Sequence, residues 1–339
     1  MKTITFLATL FLALGLLSAN SASQIQVKMG YMAAAIAGGP TYIAMEKGYF
    51  KELGIEVKLV GGFASAAQMM APLSTGEIQV APGGFTAGLF NALARGMPIK
   101  IALPANRAMP GLTQDAIMIR ADLKDKIKKI ADLKGRKVAV NAKGSPLEYM
   151  LGKMLGSEGL SIKDVEIVYM PWPDMGPAFA RGAIDAGGLV DPLATQFQER
   201  GHAIIWKRTP DFIKDPYMEV AAIFFNKDWA EKNPEVARGF ALAYIRGARE
   251  YMEAARGGKN RNDVVDIIRK YTVVKDRALY DKIQWAYIDP DGKILKESIK
   301  DLQDWFIRHG MVPQRADIDA YVDEGYARYA LEKLGPYRP

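Results

Sequence analysis

Cysteine is absent from this chain of 339 residues. Its absence excludes disulfides, thiolate nucleophiles, cysteine-ligated zinc sites and iron–sulfur clusters. Histidine is scarce as well, because only His202 and His309 occur and neither has a second histidine at metal-ligand spacing. P-loop, GxSxG and HExxH motifs are also missing. We therefore expect neither a metal site nor a cofactor.

Long hydrophobic runs are missing after residue 17, and charge of neither sign dominates. The chain is 49% hydrophobic and 24% charged, with a net charge of +7, as in ordinary globular proteins. So modest a positive excess needs no nucleic-acid partner to explain it. At about 150 residues per domain, the length predicts two domains, each with its own apolar core.

Residues 1–23 have the composition of a secretory signal peptide. Lys2 precedes an apolar run over residues 4–17, and small or polar residues fill positions 18–23. The run is shorter than the roughly 20 residues that span a bilayer as a helix. We expect cleavage between Ala19 and Ser23 and, since no cysteine offers a lipid anchor, a mature protein free in the periplasm. A buried N-terminal helix is the alternative.

After residue 24 the sequence alternates between strand and helix patterns. Strands are predicted at residues 25–30, 55–60, 78–81, 99–103, 116–119, 137–141, 165–169 and 183–187. From Asn226 onward the pattern is helical, with a long helix from Pro234 to Ala254. This order predicts an α/β protein of two units, each built on a mostly parallel sheet with helical crossovers.

Several predicted strand-to-helix turns consist of small and hydroxyl residues, at positions 38–41, 62–65, 83–86 and 144–145. In open α/β sheets ligands bind at such turns. Free N–H groups at the helix N-termini there favour anions. Ser65, Thr86 and Ser145 can add hydroxyl donors; the alternative is that these residues only cap their helices.

Further segments carry a family resemblance: EKGYFKELGIEV at 46–57, ADLKGRKVAV at 131–140, AFARGAIDA at 178–186 followed by Asp191-Pro192, and DWAEKNPE at 228–235. In this order they resemble the substrate-binding proteins of nitrate/sulfonate/taurine-type ABC importers. The same superfamily contains proteins that bind thiamine-pyrimidine precursors. The resemblance implies a type II periplasmic-binding-protein fold, with two α/β lobes, two crossing hinge segments and a helical C-terminal part.

We place lobe 1 at residues 24–108 plus 218–339 and lobe 2 at residues 109–217. The hinge crossings fall near residues 104–114 and 211–220, which are rich in turn formers. What the resemblance further implies is a ligand in the cleft between the lobes. Closure would trap that ligand for delivery to a permease in the inner membrane, with no chemical turnover.

The family's ligand contacts, carried over to matching positions, fall on loops at the sheet edges. They are Tyr31, Met32, Gly62, Ser65, Gly84, Phe85, Thr86, Asn141, Gly144, Ser145, Trp172 and Asp191. Aromatic candidates for stacking on a flat ligand are Tyr31, Phe63, Phe85, Tyr149 and Trp172. Arg107, in the first predicted crossing, could pair with an anionic ligand, the alternative being a solvated loop residue.

We therefore expect a monomeric, non-catalytic periplasmic protein that binds a small organic anion, a sulfonate or carboxylate with or without an aromatic body. A neutral heterocycle, such as a pyrimidine or flavin precursor, is the alternative ligand. A pyrimidine-synthase-like enzyme is a further alternative, which the missing cysteines and the absence of a histidine before His202 disfavour. The sequence leaves open whether the protein delivers its ligand to a permease or reports ligand binding to a sensor. The basic run over residues 124–137 is interpreted as a solvated surface, with permease docking as the alternative.

Overall fold

The computed structural model describes residues 24–61, 63, 65–213 and 217–338. The predicted signal peptide, residues 1–23, lies outside them. No helix among the described residues is long and apolar enough to cross a bilayer.

Ten strands of the described chain form two five-stranded sheets. They are β1 (Ile25–Gly30), β2 (Ile55–Val60), β3 (Val80–Gly84), β4 (Ile99–Ala108), β5 (Asp115–Arg120), β6 (Lys137–Val140), β7 (Glu166–Tyr169), β8 (Ala186–Val190), β9 (Ala203–Arg208) and β10 (Met218–Asn226). The first sheet has the order β2-β1-β3-β10-β4 and the second β7-β6-β8-β5-β9. This is the predicted α/β architecture, with one sheet in each unit.

Both sheets are mixed: in each, four strands run in one direction, in agreement with the expectation of mostly parallel sheets, and one strand runs against them. Strand β10 runs antiparallel to β3 and β4, and β5 runs antiparallel to β8 and β9. The sequence analysis missed β9 and β10 altogether. The reason is topological: β10 returns from the second unit and enters the first sheet between two strands that precede it in the chain by more than 100 residues. No helical crossover fixes its direction to parallel.

The helices cover the sheets and build the C-terminal part. They are α1 (Gly39–Glu46), α2 (Tyr49–Glu52), α3 (Ala66–Thr75), α4 (Ala87–Ala94), α5 (Pro146–Gly156), α6 (Trp172–Ala180), α7 (Leu193–Glu199), α8 (Lys227–Lys232), α9 (Pro234–Ala255), α10 (Arg261–Tyr271), α11 (Lys296–Arg308), α12 (Ile318–Tyr321) and α13 (Gly325–Leu334). The long helix predicted from Pro234 is α9. It packs closely on α1, since a Cβ at Gly247 would lie 2.1 Å from the Pro40 carbonyl oxygen.

Helix α11 connects the C-terminal part to the second unit by packing against α5. The Trp305 ring meets Tyr149 edge-on at 5.7 Å between centroids, and Gly152 leaves room for the indole. Asp301 accepts hydrogen bonds from the Tyr149 hydroxyl at 2.5 Å and from Lys153 at 3.1 Å. Tyr149 is therefore a core residue, and its predicted place in the ligand cleft was wrong.

Arg107 lies near the end of β4, and its side chain is buried instead of facing solvent or a cleft. Its guanidinium donates to Glu219 of β10 at 2.9 and 3.2 Å and to Asp289 at 3.4 Å. Burial raises the pKa of Glu219 to about 7 in spite of the adjacent guanidinium. Both interpretations of Arg107 from the sequence, solvated or ligand-pairing, were wrong, because its partners come from distant parts of the chain.

Candidate functional site

A cavity of about 110 Å³ lies between the two sheets. Its walls come from segments that follow the carboxyl ends of β1, β2, β3, β6 and β7, and from the crossing between β4 and β5. Its position at the strand ends is where open α/β sheets bind ligands.

The structure brings most of the predicted site residues to this cavity. Those that line it are Tyr31, Met32, Ser65, Gly84, Thr86, Asn141, Ser145 and Trp172. They come from both units, because the loops that carry them all leave strands at the facing edges of the two sheets. Their contact with a ligand stays a prediction.

Three predicted residues do not line the cavity. Phe85 is fully buried and packs against Phe90 and Phe224. Gly144 is also buried; its N–H donates to Glu148. The sequence suggested Phe85 and Gly144 because they lie in the right turns. It could not show that the Phe85 ring packs into the core or that Gly144 is buried outside the cavity lining.

Asp191 is the third predicted residue that does not line the cavity. Its carboxylate is fully buried and bonds to other parts of the protein. It accepts hydrogen bonds from the backbone N–H and hydroxyl of Thr195 at 3.0 and 2.6 Å, and it pairs with Arg208 at 2.9 Å. The peptide bond between Asp191 and Pro192 is cis. Gly62, also predicted, lies outside the described residues.

Of the aromatic candidates, Tyr31 and Trp172 line the cavity. Phe63 is half-buried against the core, and Phe85 and Tyr149 are core residues. Tyr42, which the sequence analysis did not single out, adds a third ring to the wall and meets Tyr31 edge-on at 6.4 Å. The Tyr42 ring stacks on Tyr271 at 4.4 Å between centroids and is 3% exposed, so Tyr31 and Trp172 are the rings that offer apolar faces for a flat ligand.

The helix N-termini at the cavity differ in how far their free N–H groups are already used. In α4 the Thr86 hydroxyl accepts from Leu89 N–H, while Ala87 N–H donates to the Gly144 carbonyl at 2.8 Å. The hydroxyl of Thr86 is therefore an N-cap, the alternative that the sequence left open.

In α5 the Ser145 hydroxyl accepts from the N–H of Glu148, so it too is an N-cap. The buried Glu148 carboxylate itself lies in this first turn and accepts from Gly144 N–H at 2.5 Å. A carboxylate there offsets the positive end of the helix dipole. At α3 the N-cap Ser65 makes no side-chain cap bond. The N-caps Gly38 of α1 and Pro171 of α6 make none either, so the N-termini of α1, α3 and α6 are less occupied than those of α4 and α5.

Sequence reasoning missed the polar residues on the crossing between β4 and β5. Asn106, Gln114 and Asp115 all line the cavity, and each is at least nine-tenths buried. Asp115 accepts a hydrogen bond from the Asn106 amide at 3.2 Å, and Gln114 accepts from Ala37 N–H at 3.2 Å. The run Thr113-Gln114-Asp115 between two apolar segments was a usable signal, since buried polar residues in such a place need a reason.

Several buried polar atoms of lining residues have no hydrogen-bond partner within the described part of the chain. They are Asn106 Oδ1, Asn141 Oδ1 and Trp172 Nε1. Lys143 is the only basic residue among the described cavity-lining residues, and it is exposed. Burial raises the pKa of Asp115 to about 6. The site thus offers unpaired hydrogen-bond acceptors and an indole donor. The described residues that line it include one acidic group, Asp115, and no buried cation.

The described residues contain no group of acidic and histidine side chains that could hold a metal ion. The polar groups that line the cavity are amides, hydroxyls, one carboxyl, an indole and the exposed Lys143 ammonium. Such a set is suited to orienting a bound molecule by hydrogen bonds and ring contacts.

Comparison with known proteins assigns the chain to a family. The model of the NMT1/THI5-like family matches residues 37–255. A binding protein of Brucella abortus is 28% identical over 277 residues, which are 81% of this chain and 80% of that protein. The taurine-binding periplasmic protein of Escherichia coli is 28% identical over 245 residues, 72% of each chain.

Solved structures share the fold. The periplasmic nitrate-binding protein NrtA from Synechocystis PCC 6803 superposes with a TM-score of 0.75 at 18% identity, over 92% of this chain and 89% of that one. The desulfurization enzyme DSZB has a TM-score of 0.64 at 14% identity, over 91% of this chain and 99% of its own. The resemblance expected from the sequence is thus confirmed: the chain belongs to the NMT1/THI5-like family and has the two-lobed α/β fold of periplasmic binding proteins.

Proposed function

We propose that this protein is the periplasmic substrate-binding component of an ABC importer and that it delivers its ligand unchanged to a permease. The cavity between the two sheets carries the proposal, because it draws its walls from both units and lies at the strand ends, where open α/β sheets bind ligands. The similarity to the taurine-binding periplasmic protein of Escherichia coli supports it. Export through residues 1–23 and a monomeric state are part of the same proposal.

The proposed lobes are residues 24–108 plus 218–339 and residues 109–217. Contacts between them border the cavity: Ala87 N–H donates to the Gly144 carbonyl at 2.8 Å, and Ile36 N–H to the Asp191 carbonyl at 3.4 Å. These bonds join loops of opposite lobes. A ligand that touches both walls would favour this closed arrangement over an open one by its extra contacts.

A flat, largely neutral nitrogen heterocycle is the ligand class that the cavity supports best. Tyr31 and Trp172 present rings to it, while the buried Asp115 carboxyl would repel an anion placed beside it. Arg208, the cation that acts on Asp115, is already paired with Asp191 at 2.9 Å. An organic anion, the first expectation from the sequence, is the second candidate, favoured by the uncapped N-terminus of α3 at Ser65.

A thermal-shift screen of residues 24–339 tests the proposal. The panel contains pyrimidines, flavins, aromatic carboxylates, sulfonates, taurine and nitrate. A ligand at about 100 times its Kd adds about 2.7 kcal/mol of stability, which raises Tm by several degrees. Trp172→Leu should abolish the shift, while Trp206→Leu, at a half-buried tryptophan outside the cavity, should retain it.

Two outcomes contradict the proposal. If no panel member shifts Tm, or if Trp172→Leu leaves the shift intact, the cavity is not the binding site of such a molecule. If mass spectrometry finds the ligand chemically changed after incubation, the protein is an enzyme. The fold is compatible with that result, since a desulfurization enzyme shares it.

A further inference from the structure

Asp115 is the first residue of β5 and forms part of the cavity wall where the chain crosses from one sheet to the other. Its side chain is 99% inaccessible to solvent, and its backbone N–H donates to the Thr113 hydroxyl at 3.3 Å. On the opposite strand β8 it is paired with Val190, which is also buried. The backbone of Asp115 is therefore fixed by a hydrogen bond and by strand pairing.

The carboxyl has room for further hydrogen bonds. Its Oδ2 accepts from the Asn106 amide at 3.2 Å, whereas a carboxylate can accept about four hydrogen bonds. Arg208 is the cation that acts on it, but the ion pair of Arg208, at 2.9 Å, goes to Asp191. The amide oxygen of Asn106 is buried and has no hydrogen-bond partner within the described chain. A buried acidic group whose cation is paired with another carboxylate is costly to the folded protein.

We propose that Asp115, supported by Asn106, is the specificity-determining residue of the cavity and accepts hydrogen bonds from an amino or ring N–H of a planar nitrogen heterocycle. This inference rests on the proposed function and narrows its ligand class. An N–H group supplies the donor that the carboxyl and the Asn106 oxygen lack. A ligand whose N–H is replaced by a methyl group leaves both acceptors buried without a donor.

The aromatic rings that line the cavity and the Asp115 carboxyl would recognise different parts of the same ligand. The rings of Tyr31 and Trp172 contact the faces of a flat ligand, while the carboxyl accepts hydrogen bonds from its edge. Trp172 Nε1, which has no partner of its own, can donate to a ring nitrogen or carbonyl of the same molecule. The arrangement distinguishes an amino heterocycle from an aromatic hydrocarbon of the same shape.

The test measures the affinities of two probes of equal shape, 2-aminoquinoline and 2-methylquinoline, by calorimetry at about pH 8. Because the methyl probe leaves buried acceptors unpaired, the wild-type protein should prefer the amino probe by about 10- to 100-fold. Asp115→Asn should reduce that preference below about threefold, since an amide has a single acceptor and brings an unwanted donor. Asp185→Asn is the matched control, because Asp185 is outside the cavity lining and bonds Lys137 N–H.

A purely structural role for Asp115 would lower the Tm of the variant and leave the preference unchanged, and this result overturns the inference. If Asp115→Asn does not fold, the affinities of the wild-type protein are used instead. Equal affinity for both probes overturns the inference. A preference of about 10-fold or more for the amino probe that is lost in Asn106→Leu supports it. If the wild type binds neither probe, the inference fails. The proposed function then stands or falls separately with the thermal-shift panel.

Discussion

Arg107→Met removes the guanidinium from the buried charge cluster beneath the two crossing strands. Arg107 is 6% exposed and Glu219 is fully buried, and the two side chains share two hydrogen bonds. Asp289 and the Lys293 carbonyl, at 2.6 Å, complete the surroundings of the guanidinium. Methionine fills much of the same volume, so the change tests the charge more than the packing.

The expected loss at about pH 8 is about 3–5 kcal/mol of unfolding free energy, the usual cost of leaving one member of a buried ion pair uncompensated. The loss should shrink in acid. Burial already raises the pKa of Glu219 to about 7, so below that pH the carboxyl is mostly protonated in the folded state. At about pH 5.5 the protonated Glu219 carries no charge for Arg107 to neutralise. The loss of unfolding free energy caused by Arg107→Met should therefore be smaller there than at pH 8 by more than about 1.4 kcal/mol, the equivalent of one pKa unit.

Urea denaturation followed by circular dichroism measures both values, with equal slopes as the check on two-state unfolding. Arg238→Met is the matched control, since the pair of Arg238 with Glu235 is exposed and should contribute less than about 1 kcal/mol. Combining Arg107→Met with Glu219→Gln should recover part of the loss. A cost below about 1 kcal/mol at pH 8, or one that grows in acid, would refute the reasoning.

Other predictions concern single positions. Asp115→Asn should stabilise the ligand-free protein at about pH 8 by about 1–3 kcal/mol, because the folded-state pKa of about 6 exceeds the unfolded value of 3.8. The gain should shrink as the pH falls below about 6 and vanish below about pH 3, where both states hold the proton. A loss of stability at pH 8 in urea titrations would contradict this prediction. Gly247→Ala should lower Tm although alanine favours helices, because its Cβ would lie 2.1 Å from the Pro40 oxygen. Gly156→Ala is the control: this glycine has open space around it, so the substitution should raise Tm slightly. Ser145→Ala should cost about 1 kcal/mol in the same titrations through loss of the N-cap, and an unchanged stability would show that the cap is dispensable.

Local patterns in the sequence were sufficient for much of the fold. Alternation of apolar and polar residues placed β1 and β2 at the bounds that the structure has, and the proline at position 234 marked the start of α9. Turn composition located most of the cavity-lining residues, since a strand-to-helix turn at a sheet edge is recognisable from its glycines and hydroxyls. These features depend on neighbours a few residues apart.

Only the tertiary structure decided the positions of Arg107, Asp115 and Phe85. Arg107 is buried because Glu219, 112 residues away in the sequence, enters the first sheet beside it on β10. Asp115 lines the cavity because the chain crosses between the sheets at that point. Phe85 lies outside the cavity because its ring packs against Phe224. A side chain's burial and charge environment are set by contacts between distant segments, and no local pattern encodes them.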